Sequence, residues 1–185
     1  MPEHGDTIRL VPKDQDSYDE TMAVVEEHGW EEASAGQGAT AAWTVPDEDA
    51  KVRFIEDGGT AVEYFEVEGP GRAAAAKQLQ AKIEMLEPSE FRAHLDQFDD
   101  DVDAQRLALF TVATAAPEKS DAKVVKLLVE YLSHEDSLIR RTAMIAMGIT
   151  RWKDFIPPLE QVRDEDPDEQ IRKRAENAIE ALSKA

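Results

Sequence analysis

The chain has 185 residues and a net charge of −19 at pH 7, with 40 acidic side chains against 21 basic ones. This excess of negative charge repels phosphate backbones and argues against nucleic-acid binding. The absence of cysteine excludes disulfides, thiolate metal sites and thiol catalysis. No run approaches the roughly 18 apolar residues of a membrane span, and the N-terminus lacks the features of a secretory signal, so we expect a cytoplasmic protein.

The negative charge is concentrated in the first part of the chain. Residues 1–70 carry 18 acidic and four basic side chains, a net charge of −14, and residues 71–185 account for the remaining −5. Such a segment favours a basic partner at low salt. Solubility, or adaptation to a cytoplasm of high salt, explains the same charge without a partner, and the composition leaves both explanations open.

The first 30 residues predict a strand followed by a helix. Thr7–Val11 alternates weakly between apolar and polar side chains, as a short strand does. The stretch from Asp16 to Glu20 contains a capping candidate and acidic residues for a first helical turn. Tyr18, Met22 and Val25 then form one apolar stripe, and His28-Gly29 supplies the end of the helix.

Between Trp30 and Gly69 the apolar period changes from helical to alternating. Strands are predicted over residues 41–45, 51–56 and 61–67, with a further edge strand near residues 30–33. Val62 and Tyr64 share one face of their strand, and Glu63 and Glu66 are counted among the charged outward positions. We therefore expect a small antiparallel meander of three or four strands.

Glycine-rich stretches indicate a turn and a domain boundary. Asp57-Gly58-Gly59-Thr60 predicts a hairpin turn whose glycines take positive φ. Gly69-Pro70-Gly71 is expected to close an acidic α+β domain over residues 1–70. A connecting helix is predicted over residues 71–87, ended by Pro88.

The C-terminal part, residues 88–185, contains a repeated pattern. Ile139-Arg140 precedes Ala143 with the spacing by which Ile171-Arg172 precedes Ala175, and a fainter copy ends at Ala108. The alanines are 35 and then 32 residues apart, which matches two short helices and their turns. Three helix pairs are predicted, over residues 89–98 with 101–115, 121–132 with 136–149, and 153–162 with 168–182. Such pairs bury a core by stacking.

The underlying pattern, L-x-D-x-x-x-x-V-R-x-x-A, resembles HEAT repeats of the short, phycobilisome-lyase-like kind over about residues 88–183. The last pair matches it best, at Asp166, Ile171, Arg172 and Ala175. In the middle pair His134 takes the position of the aspartate. The resemblance implies that the Asp and Arg residues tie adjacent repeats together. The alternative is a cationic row on the inner surface that grips an acidic partner or peptide, made by Arg140, Arg141, Arg172 and Lys173.

The sequence contains no arrangement that predicts catalysis, a cofactor or a metal. The histidines are scattered singly, and His134 beside Glu135-Asp136 is explained as a helix start. The acidic run Asp99–Asp103 lacks the central glycine and distant glutamate of a calcium loop. Tryptophans are either core residues or contact sites. Trp43 is one candidate contact, and Trp152 is the best candidate for exposure or for a position between repeats.

The sequence thus predicts a non-enzymatic protein–protein interaction module with an α+β head and a HEAT-like helical solenoid. Its concrete form is an acidic inhibitor or immunity-type protein that covers a basic partner, with Glu63 and Glu66 on the acidic sheet face. One alternative is a regulatory or assembly scaffold within a complex. Another, implied by the resemblance alone, is a lyase-like factor that handles a chromophore. The oligomeric state is left open.

Overall fold

The computed structural model describes residues 7–14, 17–98 and 101–184. The chain divides into two compact units, Met1–Leu86 and Glu87–Ala185. The first combines a sheet with helices, and the second is built from helices. The predicted fold class, an α+β part followed by an all-α part, is therefore confirmed.

The first unit is built on an antiparallel sheet of five strands. In chain order these are β1 (Thr7–Leu10), β2 (Glu31–Glu32), β3 (Ala41–Val45), β4 (Ala50–Glu56) and β5 (Glu63–Glu68). The spatial order is β1-β5-β4-β3-β2, so β2 to β5 form a meander and β1 pairs with β5 at its edge. The register places Phe54 opposite Phe65 and Val52 opposite Val67. These cross-strand pairs make one apolar face.

Helices α1 (Tyr18–His28) and α2 (Arg72–Gln80) contribute to the core on that face. Val24 of α1 and Leu79 of α2 lie in the same buried cluster as the inward side chains of β4 and β5. Helix α1 ends at Gly29 in the left-handed conformation, with φ of 62°, as the sequence predicted. An apolar cluster of this unit thus lies between the sheet and the helices.

Helix α2 is shorter than the predicted span, because the chain leaves it to pair with the start of the protein. The amide of Leu86 donates to the carbonyl of Val11, and the amide of Lys13 donates to the carbonyl of Glu84, both at 2.8 Å. The side chains of Ile83 and Met85 join the core cluster. An extended segment buries these alternate residues and satisfies its backbone at the same time.

The first glycine-rich stretch forms the predicted hairpin turn between β4 and β5, but its glycines do not take the predicted positive φ. In the turn after β4, Asp57 Oδ1 accepts hydrogen bonds from the amides of Gly59 and Thr60 at 2.8 and 2.9 Å. The positive φ, 59°, occurs at Ala61 rather than at a glycine, because the Asp57 side chain forms the turn. A Cβ at Gly71 would lie 1.5 Å from the carbonyl oxygen of Glu48, so glycine is required there by close packing.

The second unit consists of three helix pairs, close to the predicted spans. They are α3 (Phe91–Asp96) with α4 (Val102–Ala115), α5 (Ala122–Glu130) with α6 (Ser137–Thr150), and α7 (Ile156–Glu165) with α8 (Glu169–Lys184). Helix α4 packs against α6, and α6 packs against α8, so the second helices of the pairs stack. Ala108, Ala143 and Ala175 are buried at equivalent positions of these helices.

Aspartates begin several of these helices. Asp101 accepts hydrogen bonds from the amides of Asp103 and Ala104, and Asp121 accepts them from the amides of Lys123 and Val124. Such caps satisfy amides that have no partner inside the helix. The acidic residues at these positions are therefore used by the fold.

Candidate functional site

Arg140 is buried between the second and third helix pairs. Its Nε and Nη2 donate to the two carboxylate oxygens of Asp166 at 2.9 and 3.1 Å. Its Nη1 donates to the carbonyls of His134 and Glu135, also at 2.9 and 3.1 Å. Arg140 and Asp166 are each 9% exposed. The bidentate geometry makes this a strong, satisfied pair that ties the two helix pairs together.

Arg172 repeats part of this arrangement in the last pair. Its Nη1 donates to the carbonyl of Asp166 at 2.7 Å, and its side chain is half-buried. Asp166 Oδ1 also accepts the amide of Asp168 at 2.9 Å. Both arginines of the repeated Ile-Arg step are therefore occupied inside the unit. Arg140 joins adjacent pairs, as the resemblance implied, whereas Arg172 bonds a carbonyl within its own pair.

The other two members of the predicted cationic row lie at the surface. Arg141 and Lys173 are exposed, and neither has a hydrogen bond or ion pair to any residue in the described ranges. Sequence reasoning missed Arg106, which occupies the equivalent position of the first pair. Its Nε donates to Thr142 Oγ1 at 3.3 Å, and its Nη1 donates to Asp103 at 3.0 Å. Alignment of the repeats could have identified it, because Arg106 follows Gln105 as Arg141 follows Arg140.

The candidate contact tryptophans are core residues. The indole N–H of Trp152 donates to the carbonyl of Glu118 at 3.1 Å, and its ring stacks on Phe155 with centroids 5.9 Å apart. Glu118 precedes α5 and Trp152 follows α6, so Trp152 links the turns at the two ends of the second pair. Of the two positions expected for Trp152, exposure is wrong, because the side chain is 5% exposed. Its contacts with Glu118 and Phe155 agree with the other, a position between repeats. Trp43 is also buried and packs against Trp30, with centroids 6.4 Å apart.

The outer face of the sheet is less acidic than its sequence suggests. Glu66 pairs with Arg53 and, at 3.5 Å, with Arg9, and Arg53 also pairs with Glu68 at 3.1 Å. The Arg9 guanidinium lies 5.4 Å from the centre of the Tyr64 ring, and burial raises the pKa of that phenol. The charge of Glu66 is therefore largely balanced within the sheet.

Positions 63 to 67 divide between the two faces. Phe65 and Val67 belong to the core cluster, while Tyr64 lies on the other face with Glu66. Glu63 is half-buried at the start of β5, opposite Glu56. Neither Glu63 nor Glu66 stands as a fully exposed carboxylate on the sheet.

A more exposed acidic surface lies on helix α1. Asp19, Glu20 and Glu26 are exposed and have no partner among the residues that the structure describes. Tyr18 and Met22 are 43% and 39% exposed, while Thr21 and Val24 turn inward. The predicted stripe of Tyr18, Met22 and Val25 is thus only partly buried. Val25 packs against the core cluster and the Tyr18 ring lies 5.8 Å from that of Phe54, whereas Met22 is exposed. We call Tyr18, Asp19, Glu20, Met22 and Glu26 the α1 surface.

Within residues 7–14, 17–98 and 101–184, no group of three His, Asp or Glu side chains is arranged to hold a metal ion. No helix in these ranges is long and apolar enough to cross a bilayer. His134 Nδ1 accepts the amide of Asp136 at 3.1 Å, which is a helix-start contact. Of the acidic run, Asp99 and Asp100 lie outside the described residues, and Asp101 caps α4.

Stacked helix pairs with equivalent alanines and an Arg–Asp tie between pairs define an α-helical repeat protein. A family model described as HEAT repeats matches residues 89–180, so this part of the chain consists of HEAT-like repeats, as the sequence predicted. Neither the curated proteins nor the solved structures contained a match. HEAT repeats indicate a protein–protein interaction or scaffold role and are in general not catalytic.

Proposed function

We propose that the protein is a non-enzymatic binding module that holds a basic protein through the α1 surface, in the manner of an inhibitor or immunity-type protein. One observation carries this proposal. Asp19, Glu20 and Glu26 lack cationic partners within the described part of the chain, whereas nearby Glu27 pairs with Lys82 at 2.8 Å. Carboxylates without internal partners are available to a cationic surface.

Charge and apolar area would act at different stages of binding. The carboxylates of the α1 surface would attract a basic partner and raise the association rate, an effect that salt screens. Tyr18 and Met22 would then provide the apolar contact that slows dissociation, because exposed aromatic and methionine side chains are favoured at interfaces.

The test is a pull-down at low salt from a native lysate with identification of the recovered proteins. The wild-type protein is expected to recover basic proteins and to release them at high salt. An Asp19→Asn/Glu26→Gln variant should recover a smaller amount of these basic proteins. The control, Glu118→Gln/Glu176→Gln, removes the same charge from the HEAT unit and should behave as wild type. Recovery of acidic proteins only, or of none, contradicts the proposal.

A scaffold role is the second candidate, and the HEAT match favours it. A scaffold holds two or more partners at once, whereas an inhibitor of this kind holds one. Size-exclusion chromatography with light scattering of the recovered complex separates the two by mass. A complex of one copy with one basic protein supports the inhibitor, and a larger assembly supports the scaffold.

A further inference from the structure

The HEAT unit carries an exposed cationic surface, whereas the α1 surface of the α+β unit is acidic. We infer that this surface, formed by α6 and α8, is a docking site for an acidic amphipathic helix of a partner protein. We call it the α6–α8 face. Its members are Arg141, Ile145, Gly148 and Arg151 from α6 and its C-cap, and Lys173, Ala181 and Lys184 from α8.

Helix α6 is open to solvent along one stripe only. Its exposed residues are Ser137, Arg141, Ile145 and Gly148, at spacings of four, four and three, and its other residues are buried or half-buried. These spacings place the four residues on one face of a helix. Ile145 is 44% exposed, although it is a large aliphatic residue. A charged and an apolar side chain are therefore presented together.

Helix α8 lies beside this stripe. Gly148 and Arg151, at the end of α6, line one groove with Ala181, Leu182 and Lys184, at the end of α8. Because the C-terminal ends of the two packed helices meet in this groove, the helices run parallel. Equivalent positions are therefore neighbours.

Arg141 and Lys173 occupy equivalent positions near the N-terminal ends of the two helices. The groove itself carries Arg151 and Lys184. Cationic side chains thus stand at both ends of the α6–α8 face, with Ile145 between them.

The groove at the C-terminal end of the face is open and is lined partly by small residues. A Cβ placed on Gly148 would have no neighbouring atom within 4 Å, and Ala181 is exposed beside it. Small residues at both positions leave a depression at this end, about one helical turn along α6 from Ile145. An aliphatic side chain of a partner fits such a depression, whereas a phosphate backbone gains nothing from apolar contact.

Charge complementarity selects the occupant. Arg141 and Lys173 have no partner among the described residues, although the whole chain carries a net charge of −19. Lys184 is bonded to Glu180, so the two cations near the start of the face are the more available. From Arg141 to Arg151 the face extends about 15 Å at 1.5 Å per residue, which accommodates about three turns of a bound helix. Acidic residues flanking an apolar stripe would match it.

The probe is a labelled synthetic peptide of about 14 residues, with leucines at helical spacing and glutamates on both sides of them. Its binding to the full chain is measured by fluorescence anisotropy at low salt. Wild type is expected to bind, and Arg141→Glu/Lys173→Glu should weaken binding by about tenfold or more. Ile145→Ser should also weaken it, with little change in salt dependence. Circular dichroism confirms that each variant is folded.

The matched control is Lys123→Glu/Lys126→Glu, which makes the same change of charge at exposed lysines of α5. It should bind the peptide as wild type does. Equal loss in this control, or no binding by wild type, overturns the inference. Stronger binding of a single-stranded DNA oligonucleotide also overturns it. So does self-association in light scattering that the Arg141→Glu/Lys173→Glu variant abolishes, because a second copy would then be the occupant.

Discussion

The α+β unit and the HEAT unit use their polar side chains in different ways. In the HEAT unit, Asp101 and Asp121 cap helices, and Arg140 with Asp166 joins two helix pairs. In the α+β unit, Arg53 forms its ion pairs on the face of the sheet away from the core cluster. There, helix α1 begins at Ser17 without a side-chain cap.

The difference follows from how each architecture satisfies its backbone. A sheet pairs its amides and carbonyls between strands, so its charged side chains remain available for the surface. A helix leaves about four amides unpaired at its N-terminal end and about four carbonyls unpaired at its C-terminal end, and side chains must satisfy them where the ends pack. For this reason many acidic side chains of the HEAT unit cap or join helices, whereas several carboxylates of the α+β unit are free for a partner.

The largest expected effect tests the buried tie of the HEAT unit. Arg140→Ala should lower its free energy of unfolding by about 3–5 kcal/mol, because the Asp166 carboxylate would stay buried without its counter-charge. The neighbouring Arg141→Ala should change it by less than about 0.5 kcal/mol, since that side chain is exposed. Urea denaturation followed by circular dichroism measures both. Equal effects would mean that the tie does not stabilise the unit.

Two glycine-to-alanine substitutions should have effects of opposite sign in the two units. Gly71→Ala should destabilise the α+β unit by about 1–3 kcal/mol, because its Cβ would collide with the Glu48 carbonyl. Gly148→Ala should stabilise the HEAT unit by about 0.5–1 kcal/mol, because alanine favours a helix interior and the site is open. Thermal melts measure both, and a destabilised Gly148→Ala variant would contradict the open site.

Substitutions at the N-caps of α5 and α1 should change stability by smaller and unequal amounts. Asp121→Ala should cost about 1 kcal/mol, since two amides lose their acceptor. Ser17→Ala should be neutral or slightly stabilising, because the buried Ser17 Oγ makes no hydrogen bond within the described residues. Urea unfolding gives both values from the shift in midpoint, provided that the slope of the free energy against urea concentration is unchanged. A marked loss in Ser17→Ala would show that its hydroxyl has a role in beginning α1.

The smallest effect concerns pH. Burial lowers the pKa of His94 in the folded HEAT unit, where its ring packs edge-on against Phe98. The unfolded chain therefore binds the proton more readily, so this contribution to stability is complete above the ordinary histidine pKa of about 6.5 and is lost as the pH falls below it. The His94→Gln variant should lose less stability than wild type between about pH 7 and pH 5. Parallel losses would contradict this assignment.

The helices and strands could be predicted well because their signals are local. Three copies of one pattern located α4, α6 and α8 closely, and the capping aspartates marked where α4 and α6 begin. Alternation likewise located β3 and β4 within one residue. Helix α2 was overestimated, because Leu79, Ile83 and Leu86 fit a helical period, whereas the structure buries Ile83 and Met85 as alternate residues of an extended segment.

The candidate sites were harder to predict. Periodicity showed that Tyr18 and Met22 share a side of α1, but the packing of Thr21 and Val24 decided which side faces solvent. Likewise, the sequence predicted Glu66 as a charged outward residue, but only the strand register placed Arg53 opposite it. Exposure and charge balance depend on neighbours that are distant in the chain.

The sequence by itself determined the two-part architecture, the repeat and the excess of negative charge, because each depends on local pattern or on composition. Only the tertiary structure decided which residues are free to bind. Arg140 and Arg141 are adjacent in sequence, yet one is bonded to a carboxylate 26 residues further along and the other is exposed. A helix turns by about 100° per residue, so neighbouring side chains point to different surroundings, and packing assigns one to the fold and the other to solvent.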